Sequence, residues 1–116
     1  SDNTSLALAL GIEETFGGFT SELQTSKQPY GWTIHLTESQ TTAEDTLHKK
    51  MTTYAYAILA LIDNVDSITW EYSDTSAQTK TYTITTAEAN AQLGKEIKKT
   101  AENICDFQKF AREIGL

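Results

Sequence analysis

The stretch 22-ELQTSKQPYGWTIHL-36 holds the only proline of the chain, and its reading decides how the first half folds. Trp32, Ile34 and Leu36 alternate with Thr33, His35 and Thr37, the period of a strand with one buried face. Upstream, Phe19 and Leu23 alternate with Thr20, Glu22 and Gln24 in the same way. The link "TSKQPYG" is polar. Pro29 presets its own φ and removes an amide, so the link reads as a turn rather than a continued ladder. Two alternating runs joined by such a link predict an antiparallel hairpin. The parity assigns Tyr30 and Trp32 to a core rather than to a ligand clamp. Gly31 either admits a close neighbour or marks a bulge.

Working outward, Thr41 and Glu44 have the spacing of a capping box and predict the start of the principal helix. Its stripe is Leu47, Met51, Tyr54, Ala55, Ile58, Leu61 and Ile62, broadened by Ala57 and Leu59. Tyr56 lies opposite that stripe, either covered by a second helix or exposed as a contact residue. From Val65 to Tyr72 the pattern alternates again, with Ile68, Trp70 and Tyr72 on one face. After the polar turn "SDTSAQ", Lys80, Tyr82 and Ile84 face away from Thr79, Thr81, Thr83 and Thr85, which predicts a second hairpin. Thr85 and Glu88 repeat the capping-box spacing before a short helix that Gly94 stops. Thr100 is the expected cap of a last helix with Ile104, Phe107, Ala111 and Ile114 on its apolar face. Ahead of everything, Asp2 or Asn3 is expected to cap a short helix that Gly11 ends.

The order is helix, hairpin, long helix, hairpin, two helices, with no linker or repeat. This predicts a single α+β domain over residues 1–116. Two antiparallel hairpins form a mostly antiparallel sheet, with helices packed on one face and the other face wet.

The balance of 16 acidic against 9 basic residues gives a net charge of −7. The one basic cluster, Lys95, Lys98 and Lys99, is interrupted by Glu96, which argues against nucleic acid and anionic membrane as partners. Cys105 is the single cysteine. It cannot form an intrachain disulfide, and it reads as a core or boundary thiol. The longest apolar run, Ala55 to Ile62, falls far short of the roughly 18 residues of a membrane span. The chain begins with Ser1 rather than Met, which reads as a trimmed or processed start.

His35 falls on the polar face of the second strand, and His48 on the flank of the long helix. Neither has a second His or Cys at ligand spacing, so no metal is expected. The acidic pairs Glu13–Glu14, Glu44–Asp45 and Asp63/Asp66 read as helix-end and turn residues. No phosphate-binding loop, nucleophile elbow or calcium loop is present, so no cofactor and no catalytic residue is assigned. The candidate binding surface is His35, Thr33, Glu22, Gln24 and Glu71 on the open sheet face, together with Tyr56. An enzyme reading pairs His35 with Glu22 or Glu71, and it requires that pair to lie in a cleft.

Five segments, "SDNTSL", "ELQTSKQPYGWTIHL", "ALIDNVDSITWEY", "YTITTAEANAQLGKEI" and "ENICDFQKF", follow one another along almost the whole chain. Together they resemble a bacterial family, chiefly of Firmicutes: the domain of unknown function numbered 4825. The resemblance implies a module of lipoprotein-like proteins, also appended to antirepressor-type membrane metallopeptidases. It implies an extracytoplasmic setting, secreted or tethered to the membrane through a missing N-terminal segment. No HExxH motif lies in these residues, so peptidase activity does not carry over. The expectation is a non-catalytic sensory or regulatory module that binds a protein partner or small ligand. A small enzyme built on His35 and a passive structural spacer are the alternatives.

Overall fold

The alternation of residues 30–36 builds the strand it predicts. β2 (Tyr30–Leu36) buries Trp32, Ile34 and Leu36 and turns Thr33 and His35 to the opposite face. The computed structural model describes residues 2–116. Before β2 come α1 (Asp2–Leu10), α2 (Ile12–Phe16) and β1 (Phe19–Gln24); after it come α3 (Glu44–Leu61), β3 (Val65–Ser73) and β4 (Thr79–Thr85). The chain closes with α4 (Thr86–Leu93), a 3-10 turn (Ile97–Lys99) and α5 (Ile104–Ile114). The expected cap at Asp2 lies outside the described side chains.

The four strands form one sheet in the order β1-β2-β3-β4. Both hairpins are antiparallel, and the inner pair β2–β3 is parallel. Parallel neighbours need a long crossover, and α3 supplies it across the covered face. The fold is therefore α+β with a mostly antiparallel sheet. A register shift falls between Tyr30 and Gly31. A Cβ at Gly31 would stand 2.8 Å from Ser67 Oγ. Both readings of that glycine hold at once.

α3 is the centre of the core. Leu47, Met51, Ala55, Ile58 and Leu59 are buried along it, against Trp32, Ile34, Ile68 and Trp70 of the sheet. Phe16 of α2 fills the gap between Tyr54 and Trp70, with ring centroids 5.6 and 5.0 Å away.

Local signals were overruled in several places. The Thr41–Glu44 capping box does not form: α3 starts after Ala43 with no side-chain cap, and the Glu44 carboxylate pairs instead with Lys80. A fully buried Leu, Ile or Met contributes about 1.5–3 kcal/mol and a cap about 1, so packing sets this helix without one. By contrast, Thr85 caps α4, accepting from Glu88 N at 3.1 Å. The expected Thr100 cap is replaced by Asn103, which accepts from Asp106 N at 2.9 Å, while Thr100 donates to the Ile97 carbonyl.

α5 keeps part of its expected face, with Phe107, Ala111 and Ile114 partly buried and Ile114 packed on the core. Phe110 is its buried residue, whereas Ile104 is 68% exposed and Cys105 lies on the surface rather than in the core or its boundary. Leu23, expected inward, is 44% exposed because it sits near the end of an edge strand.

Candidate functional site

Sheet register arranges the open face in rows. Thr20, His35, Glu71 and Thr81 face one another across the four strands, and Glu22, Thr33, Thr69 and Thr83 form the next row. His35 sits between two carboxylates: its Nδ1 is 3.0 Å from Glu71 Oε1 and its Nε2 is 3.8 Å from Glu22 Oε1. The first contact is a hydrogen bond. The second is too long for one, and Nε2 is buried with no hydrogen-bond partner among the described residues. Beside this line, Thr69 and Thr83 share a hydroxyl hydrogen bond at 2.9 Å. The arrangement offers two carboxylates, an imidazole and a field of hydroxyls on one flat surface.

Of the six candidate residues, Glu22, Thr33, His35 and Glu71 are brought together. Gln24 shares their face, but its amide is occupied by its own loop, accepting from Lys27 N and donating to the Lys27 carbonyl, both at 3.2 Å. Tyr56 does not join them. It is buried on the other side of the sheet, with Thr52, Tyr82, Ile84, Glu88 and Gln92 around a hollow of about 310 Å³. Burial there raises its phenol above the ordinary value.

A larger, open hollow of about 560 Å³ adjoins it, lined by Asp45, His48, Lys49, Thr52, Thr53 and Tyr82. Its aromatic wall was not read from the sequence. His48 Nε2 lies 2.9 Å from the Tyr72 hydroxyl, and its ring stacks on Tyr82 with centroids 3.9 Å apart and planes within 2°. Thr52 reaches the Tyr82 hydroxyl at 3.1 Å. The signal was present: His48, Thr52 and Tyr56 recur at every fourth position, one helical face, and Tyr72 and Tyr82 share the inward parity of their strands. None of the hollows along α3 includes His35, Glu22 or Glu71. The carboxylate–imidazole line lies on the open face of the sheet, outside these hollows.

Lys80, Lys95, Lys98 and Lys99 are already engaged. Lys80 bridges Glu44 and Asp74, each at 3.0 Å. Hydrogen bonds from Ser76, and then from Lys80, lower Asp74 to about 2, and Lys80 rises well above the ordinary lysine value. The sequence cluster also disperses. Lys95 pairs with Glu113 at 2.6 Å and Lys99 with Glu96 at 3.1 Å. Lys98 is turned inward onto backbone carbonyls. No group of acidic, His and Cys residues suited to a metal occurs among the described residues. No helix among them is long and apolar enough to cross a membrane.

No curated protein and no solved structure matches the chain. A family model matches residues 2–86, which take in the whole sheet and the Glu22–His35–Glu71 line, and the chain belongs to that family, the domain of unknown function DUF4825.

Proposed function

We propose that the chain is a non-catalytic module that acts outside the cytoplasm and binds a protein partner or ligand through its open sheet face in a sensory or regulatory setting. The observation that carries this reading is the placement of His35 between Glu22 and Glu71 on a flat, hydroxyl-rich surface. Flat polar surfaces suit extended partners, whereas small substrates favour concave sites. Charge points the same way, because two carboxylates on a chain of net charge −7 favour a partner presenting cationic or hydrogen-bond-donating groups. The extracytoplasmic setting rests on the family resemblance alone.

A second reading is favoured by one observation. The His35–Glu71 hydrogen bond orients an imidazole as a general base requires. The position of His35 on the open sheet face, outside the hollows along α3, weighs against it.

The binding reading is tested by placing a photo-crosslinking residue at Thr33, and at Gln108 as a control, in the full-length protein expressed in its source cell. The expected result is a discrete adduct from Thr33 alone, lost when Glu22 and Glu71 are both changed to Lys. Equal labelling at the two positions, or none at Thr33, would overturn the binding role. Protease accessibility of the tagged protein on intact cells tests the setting.

A further inference from the structure

We propose that the free edge of β4, with the groove between β4 and α3, takes an extended cationic polypeptide segment that adds to the sheet as a fifth strand. This surface adjoins the open face discussed above and shares Thr83 with it.

β4 is an outer strand of seven residues. Its ladder with β3 runs from Ser67↔Thr85 to Ser73↔Thr79 without a register shift. Sheet edges are ordinarily blunted by proline, bulges or outward lysines, and β4 has none of these. Its one lysine, Lys80, is tied to Glu44 and Asp74. Thr79, Thr81 and Thr83 are exposed. The backbone groups along such an edge are complementary to one kind of partner, another strand.

The groove supplies what a bare edge lacks. The two hollows of about 560 and 310 Å³ share Thr52 and Tyr82. A strand laid beside β4 sends every second side chain toward α3, the side on which Tyr82 lines both hollows. The wall is already ordered by the His48–Tyr82 stack and by the Tyr72 and Thr52 hydrogen bonds.

Charge selects the occupant. Asp45 and Lys49 line one hollow and Glu88 the other. A second copy of the chain would bring the same acids and another net charge of −7. A basic segment complements Glu88 and the net negative charge of the chain.

The test titrates the isotope-labelled chain with a blocked peptide of alternating lysine and valine. The expected result is slowed amide exchange and shifted resonances across Thr79–Thr85, with shifts at His48 and Thr52. Asp45→Asn combined with Glu88→Gln should weaken binding about fivefold at low salt, and Glu102→Gln, outside both surfaces, should leave it unchanged. The same peptide with proline at its centre should not bind, because it cannot complete the ladder. Undiminished binding of the proline peptide, shifts confined to Thr33 and His35, or β4-mediated self-association that leaves the peptide unbound would each overturn the proposal.

Discussion

His35 Nδ1 meets Glu71 Oε1 at 3.0 Å across the parallel β2–β3 pair, joining two strands that are 36 positions apart in the chain. A carboxylate only accepts, so a neutral His35 in this bond carries its proton on Nδ1 and leaves Nε2 bare. Nitrogen-detected NMR of the neutral form is expected to report the Nδ1–H tautomer, and Glu71→Gln to remove that preference. A dominant Nε2–H form in the unmodified protein would contradict the geometry. The stability change from Glu71→Gln should stay below about 1 kcal/mol, because the pair is partly exposed.

Lys98 closes the C-terminal end of α3. Its ammonium donates to the carbonyls of Leu59 at 2.7 Å and Ile62 at 2.8 Å, and also to that of Val65. The Leu59 carbonyl is one that a helix end leaves unpaired, and those of Ile62 and Val65 lie in the turn from α3 into β3. Burial lowers the lysine's pKa, against the opposing pull of Asp66 and Asp63. Lys98→Met keeps the stem and removes the donors, and is expected to cost about 2 kcal/mol in urea unfolding. A loss under about 0.5 kcal/mol would mean that the carbonyls find other partners.

Acid should loosen the β3–β4 turn first. Asp74 is held at about 2, below its ordinary 3.8, by Ser76 and Lys80, and Glu44 is lowered by Lys80. Folding therefore favours their charged forms. That contribution is complete above the ordinary carboxylate values and disappears as pH falls through the folded ones. Thermal unfolding followed from pH 5 to pH 2 should show a decline that Lys80→Met makes shallower. An unchanged acid slope in Lys80→Met would remove the bridge from the explanation. Lys80 itself is raised, so its share persists below its ordinary 10.5 and is lost only in strong alkali.

Two matching sequence motifs should respond differently to the same change. Thr85→Ala removes a formed cap and is expected to cost about 1 kcal/mol. Thr41→Ala removes nothing that α3 uses, and should fall within about 0.5 kcal/mol of the parent. Chemical denaturation of the two variants side by side checks this. Equal losses would place the α3 start at Thr41 in solution.

The last helix offers a similar contrast. Phe110 is 2% exposed and Ile104 68%. Phe110→Ala should cost about 3–5 kcal/mol, while Ile104→Ser should be close to neutral. Calorimetric midpoints that move together would show that α5 packs through its other face.

Sequence periodicity alone determined both hairpins, the long helix, the covered and open sheet faces, and the inward placement of Trp32, Trp70 and Tyr72. Those features follow from local repeats of 2 and 3.6 residues, which every residue in a run reinforces. It also placed Glu22, Thr33, His35 and Glu71 on a common face. Tertiary structure decided that the hairpins meet through a parallel β2–β3 pair, so that His35 faces Glu71 rather than lying a strand apart from it. It decided that Glu44 serves Lys80 instead of a cap, that Lys98 turns inward while Ile104 and Cys105 turn out, and that Tyr56, opposite the expected stripe of α3, is buried beside β4 and α4. Each of these is a choice between partners distant in the chain, where one long-range ion pair or buried ring outweighs a local preference of about 1 kcal/mol. No reading of neighbours along the sequence contains that comparison.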